Sequence, residues 1–429
     1  MKLFVPRERE GDETRVAASP DTVKKLTGLG ATIVVEAGAG SASRIPDAAF
    51  EAAGATIGSA EDARDADIVL KVRRPNRAET ASYKRGAVVI ATMDPYGAED
   101  DVKAMGEAGI TAFAMEFMPR ITRAQSMDVL SSQANLAGYQ AVLDAASEFD
   151  RAFPMMMTAA GTVPAARVFV MGVGVAGLQA IATARRLGAV VTATDVRPAT
   201  KEQVESLGAK FVAVEDDEFK AAETAGGYAK QMSPEYQAKQ AELTASHIAK
   251  QDVVITTALI PGRPAPRLIT RAMVESMKPG SVIVDLAVER GGNVEGAVAG
   301  QVVEVGPARI VGHLNVSGRI AATASLLYAK NLSAFLETLI DKDTKALKLD
   351  LNEELQKATA LTHDGRVVHP TFAATEQPAV EEKPAAKKPA KPAAEKKPAE
   401  PAADDKPAEP AVEEKPAEPS NGVDTGAAT

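Results

Sequence analysis

The chain has 429 residues, of which 45% are hydrophobic and 25% are charged, with a formal net charge of −9 and no cysteine. This length suits two or three domains of about 100–200 residues each. The acidic balance argues against a general nucleic-acid binder, which normally presents a basic face. The lack of cysteine excludes disulfides, thiolate metal sites and a cysteine nucleophile, and it fits a cytosolic compartment.

The sequence predicts neither a secretory signal nor a direct membrane span. Residues 1–10 have no apolar run after the first basic residue, which a secretory signal requires. No stretch reaches the roughly 18–20 apolar residues of a membrane-spanning helix. If the protein works at a membrane, we expect another chain to hold it there.

The first part of the chain alternates strand and helix patterns. Residues 19–29 begin with Ser19-Pro20, which is a helix-start signal, and the pattern ends at Gly28 and Gly30. Strands that alternate with helices indicate a mostly parallel sheet with helices on both faces. The predicted strands of this part are 2–5, 31–36, 67–71 and 87–92.

A polar segment, 118–133, leads into a long predicted helix at 136–149, and a second strand–helix series follows. Its strands are short and continuously apolar, which is typical of strands buried on both faces. They are predicted at 167–171, 190–194, 210–214, 253–256 and 281–286. A further helix at 321–340 lies beyond the last of these strands, so we expect it to pack on the first domain.

The composition changes sharply from about residue 376. The remaining residues repeat Lys-Pro-Ala and Glu-Pro-Ala, hold ten of the 26 prolines and contain no Leu, Ile, Phe or Tyr. Such a segment cannot bury enough apolar surface to offset the entropy of ordering, so residues 376–429 are predicted to form a disordered tail. The tail is either a solvated spacer or a tether toward a partner or a membrane surface.

A glycine motif follows the first strand of the second series. Gly172-Val173-Gly174-Val175-Ala176-Gly177 matches G-x-G-x-x-G, between a buried-type strand and a segment of helical character. Asp195 ends the next strand, 18 residues after the last glycine. This context, rather than the glycines alone, indicates a dinucleotide-binding unit.

Each position of this motif has a physical role in nucleotide binding. Gly172 allows the tight turn, Gly174 lets a pyrophosphate approach the backbone, and Gly177 lets the helix pack close to the strand. The helix N-terminus offers free N–H groups to phosphates. The alternative is a glycine-rich structural turn. Val173 and Val175 complete the predicted contacts of this turn.

The residue at the end of the second strand predicts which dinucleotide binds. Asp195 can accept hydrogen bonds from the ribose hydroxyls and would repel a 2′-phosphate, so NAD(H) is favoured over NADP(H). Arg197 lies nearby and could soften that preference. Val196, between them, is also a predicted contact.

Several of these features resemble one family, which contains alanine dehydrogenase and the NAD(H)-binding alpha-1 subunit of proton-translocating NAD(P) transhydrogenase. Residues 15–17 followed by Pro20 match its shared start, as do Lys71, the glycine motif and the strand end 285–288. The resemblance covers about residues 1–370. It implies two Rossmann-like domains with the NAD site in the cleft between them.

One segment resembles transhydrogenase specifically. Residues 118–128 read Met-Pro-Arg-Ile-Thr-Arg-Ala-Gln-Ser-Met-Asp and are similar to the loop by which transhydrogenase holds nicotinamide and its ribose. From the residues alone, this stretch could equally be a polar helix start, with Asp128 and Ser131 as capping residues. The resemblance implies that the catalytic residues are Arg120, Gln125, Asp128 and Ser131. It implies further nucleotide contacts at Ile121, Thr122 and Arg123.

A second segment, 223–230, resembles the mobile loop that closes over nucleotide in transhydrogenase. The resemblance implies that Gly227 and Tyr228 contact the adenosine side, and that Gln240 and Leu259 make further contacts. Paired glycines beside a lone aromatic residue suit a hinged lid. Tyr228 could also be an ordinary exposed loop residue.

An alanine-dehydrogenase-like enzyme is one alternative function, and a non-catalytic NAD-binding regulator is another. Oxidation of an amino acid needs a general base, usually histidine, and alanine dehydrogenases supply it just after the strand that corresponds to 87–92. This chain has Thr92-Met93-Asp94-Pro95 at that place. It also has Glu289 where alanine dehydrogenases carry an aspartate. Arg15 and Lys71 are either structural ion-pairing residues or relics of a keto-acid site.

The sequence therefore predicts an α/β protein with two Rossmann-like domains, built on parallel sheets. The first domain is 1–135 with 320–375, the second is 136–319, and 376–429 is the tail. The resemblance implies a homodimer that binds NAD(H), partnered by an NADP(H)-binding beta subunit and a membrane alpha-2 subunit. It implies a cytoplasmic location, on the cytoplasmic face of the inner membrane through these partners. No metal or nucleic acid is expected.

Overall fold

The computed structural model describes residues 1–9, 11–220, 222, 232–341 and 343–373. The predictions for the tail, for Gly227 and for Tyr228 lie outside these residues. Residues 1–376 form one unit, which contains two large sheets.

The first sheet has eight strands. The strands are β1 (Lys2–Val5), β2 (Thr32–Glu36), β3 (Thr56–Gly58), β4 (Ile68–Arg73), β5 (Val88–Thr92), β6 (Thr111–Ala114), β16 (Ala360–His363) and β17 (Arg366–Val367). Their order across the sheet is β3-β2-β1-β4-β5-β6-β16-β17. The first six strands in this order are parallel to one another. At one edge, β16 runs antiparallel to β6, and β17 runs antiparallel to β16. The chain therefore returns to this sheet after the second one is complete.

The second sheet has seven strands. These are β9 (Arg167–Met171), β10 (Val190–Thr194), β11 (Lys210–Phe211), β12 (Val253–Thr256), β13 (Ser281–Asp285), β14 (Val302–Val305) and β15 (Ala308–Val311). They lie in the order β11-β10-β9-β12-β13-β15-β14, and only β14 is antiparallel. A separate hairpin joins β7 (Met156–Thr158) to β8 (Gly161–Val163).

Helices connect the strands of both sheets. They are α1 (Pro20–Gly28), α2 (Asp47–Ala52), α3 (Arg77–Ser82), α4 (Glu99–Glu107), α5 (Val129–Glu148), α6 (Val175–Arg186), α7 (Thr200–Ser206), α8 (Asp217–Lys220), α9 (Pro234–Ile248), α10 (Arg271–Glu275), α11 (Ala321–Thr338), α12 (Glu354–Thr359) and α13 (Pro370–Ala373). Two of them, α5 and α11, matter most for the candidate site. A 3₁₀ turn at Thr122–Met127 precedes α5 directly.

The helix α11 packs in the first core, as its place in the sequence predicts. Its buried Leu332 and Phe335 join the cluster that contains Leu3 of β1. The ring of Phe335 meets that of Phe113 edge-on, with 5.3 Å between centroids. Tyr328 donates hydrogen bonds to the carbonyls of Lys71 and Val72 at the end of β4. The helix is therefore a fixed part of the first sheet's surroundings.

Two predicted elements differ from the structure. The strand predicted at 210–214 ends at Phe211, because side chains of α9 bind the backbone of Val214 instead of a neighbouring strand. Gln240 Oε1 accepts from Val214 N, and Tyr236 donates to Val214 O. The helix predicted at 136–149 begins seven residues earlier, at Val129, because Asp128 caps it.

The parallel strands of both sheets carry the strand order 3-2-1-4-5-6 of the doubly wound fold, if the antiparallel β14 of the second sheet is left out. The order reverses between β1 and β4 in the first sheet and between β9 and β12 in the second. Ligands of open α/β sheets bind in the crevice at such a reversal, outside the carboxyl ends of the strands. In the second sheet, this crevice lies between Met171 and Thr256.

Candidate functional site

The glycine motif leaves β9 at the reversal of the second sheet. Gly172 has φ of +99°, and a Cβ on it would lie 2.6 Å from Thr257 Oγ1. A Cβ on Gly177 would lie 1.9 Å from Gly172 O. Thr257 donates a hydrogen bond of 2.9 Å to that same carbonyl. Glycine is therefore required at 172 and 177 by the turn and by the close approach of α6.

The N-terminus of α6 is open to a ligand. Its N-cap is Gly174, which has no side chain, so the N–H groups of the first turn receive no capping hydrogen bond from it. Gly174 is exposed, a Cβ on it would meet nothing within 4 Å, and Val175 is 39% exposed. Uncapped N–H groups at the positive end of a 12-residue helix suit the phosphates of a nucleotide.

Asp195 directly follows β10, beside this turn. Its Oδ2 accepts from Val173 N at 2.7 Å, and its Oδ1 accepts from Arg197 N at 2.9 Å. The Arg197 guanidinium bonds both carboxylate oxygens and also donates to Val173 O at 3.2 Å. Val196 is 54% exposed between them. The structure thus brings the predicted acidic residue against the glycine turn.

The two remaining predicted contacts of this half occupy different positions. Gln240 of α9 approaches Thr194, the last residue of β10, with 3.4 Å between Nε2 and Oγ1. Leu259 follows β12 and is 51% exposed. The loop that carries Leu259 is held by buried Asn293, whose side chain bonds both N and O of Ala258. Gln240 therefore lies near the end of β10 and Leu259 near the end of β12, the two strands that flank β9.

The predicted nicotinamide segment lies on the first core. Ala124 and Met127 of its 3₁₀ turn are buried there. Gln125, in the same turn, is exposed, as is Arg120 just before it. Neither Arg120 nor Gln125 bonds to another residue in the described part of the chain. The turn is therefore anchored by its apolar residues while these two polar side chains face outward.

Among the other predicted residues of this segment, Arg123 is engaged by the protein itself. Arg123 pairs with Glu353 at 2.7 Å and with Glu354 at 3.0 Å, next to α12. Ile121 is half-buried against the first core, and Thr122 is exposed. The structure does not bring the Arg123 guanidinium together with the other predicted residues, since its partners lie on α12.

Asp128 and Ser131 cap α5. Asp128 Oδ1 accepts from Ser131 N at 2.9 Å, and Ser131 Oγ donates to Asp128 Oδ2 at 2.6 Å. The capping interpretation of these residues is therefore confirmed. It does not compete with a role in binding, because both side chains are only partly buried at the start of the helix.

Helix α5 joins this segment to the phosphate-binding turn. A Cβ on Gly138 would lie 2.0 Å from the carbonyl oxygen of Ala176, so α5 passes α6 in direct backbone contact. Ser131 lies seven residues before Gly138, which is about 10 Å along a helix. The structure therefore sets Ser131 about two helical turns, and Asp128 nearly three, from the first turn of α6.

Arg15 and Lys71 are both ion-paired, which agrees with their interpretation from sequence as structural ion-pairing residues. Arg15 bonds both carboxylate oxygens of Glu13 and donates to Gln133 of α5 at 2.8 Å. Lys71 bonds Glu79 at 2.8 Å and lies 3.3 Å from Glu8. Burial lowers the pKa of Lys71, but the charges of these two carboxylates outweigh it and raise that pKa.

The four histidines lie apart from the nicotinamide segment. His247 is bonded to Thr192 at 2.8 Å, and burial lowers its pKa. His369 stacks on Phe117 with 4.5 Å between ring centroids, and His363 bonds Thr111. The fourth histidine, His313, lines a cavity of about 300 Å³. The other lining residues are Asp12, Thr14, Gly300, Leu314, Asn315, Gly318 and Arg319. In the described part of the chain, no histidine bonds to residues 118–131.

Neither a metal cluster nor a membrane span is present in the residues that the structure describes. No group of three or more His, Cys, Asp or Glu side chains there could hold a metal ion. In the same residues, no helix is long and apolar enough to cross a membrane.

Sequence reasoning missed Gly138, Thr257 and Asn293. Gly138 had a signal, because a glycine inside a long helical pattern marks a close packing contact. Thr257 had a weaker one, since it immediately follows a strand at the reversal of the sheet. Asn293 had none, because its partners Ala258 and Pro266 are 35 and 27 residues away.

These features first define a class. The strand order, the glycine turn at its reversal and the acid at the end of the next strand are those of a Rossmann-type dinucleotide-binding protein. Residues 4–137 match the family model described as alanine dehydrogenase/PNT, N-terminal domain, and residues 141–370 match the C-terminal domain of the same family. The chain therefore belongs to the alanine dehydrogenase/PNT family, whose members bind nicotinamide dinucleotides.

Individual relatives refine this placement. Over 379 residues the chain is 59% identical to the first part of NAD(P) transhydrogenase subunit alpha from Rhodospirillum rubrum, a match that covers 87% of this chain and 99% of that protein. The crystal structure of transhydrogenase from Sinorhizobium meliloti is 68% identical, with a TM-score of 0.80, and the match covers 86% of this chain and 100% of that one. An alanine dehydrogenase of Halomonas elongata is 30% identical over 382 residues, which is 86% of this chain and 95% of that protein. The predicted resemblance to transhydrogenase is confirmed, and alanine dehydrogenase is a more distant relative.

Proposed function

We propose that this chain is the NAD(H)-binding subunit of a proton-translocating transhydrogenase. The supporting observation is that Ser131, at the end of the segment that carries the exposed Arg120 and Gln125, lies about two helical turns along α5 from the phosphate-binding turn of α6. A nucleotide whose pyrophosphate lies on α6 would then extend its ribose and nicotinamide toward this segment. Relatives at 59% and 45% identity carry the transhydrogenase name.

The phosphate half of the site has the features that bind a dinucleotide. The open N–H groups of the first turn of α6 would bind the pyrophosphate oxygens, and Gly174 leaves space for their approach. Asp195 would receive the adenosine ribose hydroxyls, with Val173, Val175, Val196, Gln240 and Leu259 around the same half. A carboxylate at this position favours NAD(H) over NADP(H).

The nicotinamide half needs residues that orient the ring. When bound, the reduced nicotinamide supplies a hydride: its C4–H bond breaks, and the hydrogen leaves with both electrons to form a C–H bond on the oxidised nicotinamide of NADP⁺ held by a partner. Arg120, Gln125, Asp128 and Ser131 would hold the ring and its ribose in place. Ile121, Thr122 and Arg123 would complete the segment, and Gly227 and Tyr228 would cover the adenosine side.

This reaction requires that the two nicotinamide rings are aligned and that water is excluded. It exchanges no proton at the reacting carbons. A segment of Arg, Gln, Asp and Ser to which no histidine bonds among the described residues suits it. Amino-acid oxidation would need a general base close to the reacting carbon. The position after β5, where alanine dehydrogenases supply that histidine, carries Asp94, whose Oδ2 is 2.5 Å from Arg290.

The assembly is also a proposal. We expect a homodimer that meets an NADP(H)-binding beta subunit and a membrane alpha-2 subunit, on the cytoplasmic face of the inner membrane. The names of the relatives describe an alpha subunit divided into parts in some organisms and undivided in others. The proposed domains are 1–135 with 320–375, and 136–319. The 20-residue helix α5 crosses the boundary between them.

The test is a mixing experiment. The purified chain is combined with a soluble NADP(H)-binding transhydrogenase subunit, and hydride transfer from NADH to an NADP⁺ analogue is followed by absorbance. Transfer that needs both proteins is the expected result. Gln125→Asn, which shortens one exposed side chain of the segment, should lower the rate and weaken NADH binding.

Three results would count against parts of the proposal. Intact NADH binding without transfer would contradict the assignment of the reaction, and turnover of pyruvate, ammonia and NADH by the chain alone would support the alanine dehydrogenase alternative. A Gln125→Asn variant equal to wild type in both affinity and rate would leave the reaction in place but remove the 120–131 segment from the site.

A further inference from the structure

Asn331 of α11 bonds to both elements of the nicotinamide segment. Its Nδ2 donates to the carbonyl oxygen of Ser126 at 2.7 Å, and its Oδ1 accepts from Ser132 Oγ at 2.7 Å. Ser126 belongs to the 3₁₀ turn that carries Gln125, whereas Ser132 lies in the first turn of α5. The two hydrogen bonds of one amide therefore span the junction at Asp128, where the turn ends and the helix begins.

The amide is buried and engaged on both sides in this contact. Asn331 is 8% exposed, so a loss of either partner would leave a polar atom shielded from water. An unsatisfied buried donor or acceptor costs about 1–3 kcal/mol. The arrangement therefore favours one angle between turn and helix over others.

Helix α11 supports the same turn of α5 at a second point. Gln133 Nε2 donates to the carbonyl oxygen of Ala324 at 3.1 Å, and its Oε1 accepts from Arg15. Ala324 lies seven residues before Asn331, which is about two helical turns on one face of α11. Because α11 is packed in the first core, these bonds tie the nicotinamide segment to a rigid element.

We propose that Asn331 is a positioning residue, which fixes Gln125, Asp128 and Ser131 relative to one another for hydride transfer. This inference rests on the function proposed above. The phosphate half is held by other elements, β9, β10 and α6, with which Asn331 makes no hydrogen bond among the described residues. A misplacement of about 1 Å far from the chemistry can cost about 100-fold in rate. Loss of Asn331 should therefore reduce the transfer rate far more than the affinity for NADH.

The chain offers a matched control on the same helix. Ser333 is two residues away and 2% exposed, and its hydroxyl has no hydrogen-bond partner among the described residues. Ser333→Ala changes a buried polar group of α11 without touching the segment. Asn331→Leu removes both hydrogen bonds with only a small change in side-chain size. Ser132→Ala removes one of them, together with the weaker bonds of the Ser132 hydroxyl to Val129 O and Gln133 Nε2, and leaves Asn331 itself unchanged.

Transfer rate at saturating NADH, NADH affinity by calorimetry and backbone hydrogen exchange of residues 122–132 are measured for each variant. Asn331→Leu is expected to lower the rate at least about tenfold, to change the NADH dissociation constant less than about threefold, and to speed exchange in 122–132. Ser132→Ala should show the same pattern with a smaller loss, which keeps the test available if Asn331→Leu does not fold. Ser333→Ala should match wild type.

Unchanged transfer and exchange in Asn331→Leu would overturn the proposal. So would an equal loss of affinity and rate, or the same effects in Ser333→Ala, because these indicate a general structural role. If wild-type chain transfers no hydride, the function proposed above fails. The exchange of 122–132 in Asn331→Leu then decides by itself whether this residue fixes the segment.

Discussion

Both carboxylate oxygens of Asp195 are engaged by donors of the chain itself, Val173 N and the backbone and guanidinium of Arg197. This places the acid firmly at the glycine turn, where a ribose would lie. It also offsets the positive charge of Arg197, a residue type that accommodates a 2′-phosphate when it stands at this position. Selectivity for NAD(H) then depends on which of the two charges prevails locally.

We therefore expect Asp195→Ala to bind NADH at least about tenfold more weakly and to discriminate less against NADPH. The lost carboxylate removes both the ribose acceptor and the repulsion of a 2′-phosphate. Fluorescence titration with NADH and NADPH measures the ratio of the two dissociation constants. Glu304→Ala, on the far edge strand β14 of the same sheet, changes the net charge equally and should leave that ratio as in wild type. An unchanged ratio in Asp195→Ala would contradict the ribose role.

Glu13, in the loop after β1, is the centre of a second cluster of charged side chains, with Arg15 and Arg73. Its side chain is buried, and it binds Arg15 through both oxygens and Arg73 at 2.8 Å. Burial alone would raise the pKa of Glu13, but the hydrogen bonds and charges of Arg15, with the charge of Arg73, lower that pKa to about 2. The carboxylate thus stays ionised in the folded chain over nearly the whole pH range.

Because the pKa of Glu13 is lower in the folded chain than its ordinary 4.5, the group stabilises the fold above pH 4.5, and that contribution is lost as pH falls toward 2. The difference corresponds to about 3 kcal/mol. Glu13→Gln should therefore lower the free energy of unfolding most at pH 7 and progressively less below pH 4.5, as measured by urea denaturation. Glu107→Gln, whose side chain is exposed, should show little change at either pH. A Glu13→Gln deficit that does not shrink in acid would refute this assignment.

At the scale of elements, the contact between α5 and α6 determines how the two halves of the site meet. Gly138 is needed because any side chain there would enter the backbone of Ala176. The same helix starts at Asp128 and so carries the nicotinamide segment at one end and the phosphate-binding turn at its side. A shift of α5 by the width of a methyl group would move these two halves apart.

Gly138→Ala is accordingly expected to lower the free energy of unfolding by about 1–3 kcal/mol, as overpacked contacts do, and to weaken NADH binding at least about tenfold. Thermal unfolding and calorimetric titration measure the two effects. The matched control is Gly28→Ala at the end of α1, where a Cβ meets nothing within 4 Å. That variant should be neutral or slightly more stable. Wild-type behaviour of Gly138→Ala would show that the helices do not meet so closely.

The elements that sequence predicts best are those whose own residues determine them. The strands 167–171, 190–194 and 253–256 agree residue for residue, because an unbroken apolar run has one place in a parallel sheet. The edge strand β14 was missed, since Val302 is 38% exposed and the strand lacks that signature. The periodic pattern placed the start of α5 at residue 136, and only the alternative interpretation of Asp128 as a capping residue gave the start that the structure shows.

The candidate site divides in the same way. The glycine turn and Asp195 follow from local spacing, since strand, turn and helix are continuous in sequence. The nicotinamide segment was proposed only from its resemblance to a family. Its support by Asn331 was not predictable, because Asn331 lies 199 and 205 residues from Ser132 and Ser126. Contacts of that range appear only once the chain has returned to the first sheet.

For the whole molecule, the described residues contain both sheets, their cores and hydrogen bonds that link the loops of one to the other. Thr14, after β1, donates to Gly318 O at 2.5 Å, and Asn315 Nδ2 donates to Asp12 O at 3.1 Å. Asp94 and Arg290 pair between loops that follow β5 and β13. These links are made by residues between 12 and 318, and the first sheet is completed at residue 367.

Deletion of residues 377–429 should therefore leave both folding and NADH binding unchanged. Residues 1–376 form a unit by themselves, and all the described residues of the candidate site lie well inside it. The deleted variant is expected to match the full chain in melting temperature and in NADH dissociation constant. A longer deletion, of residues 360–429, serves as the control, because it removes β16 and β17 and with them one edge of the first sheet. This shorter protein should melt at a lower temperature than the full chain. If the shorter deletion already weakens NADH binding strongly, the tail is part of the site and not a spacer or tether. If it lowers only hydride transfer to the partner subunit, the tether interpretation is favoured over the spacer.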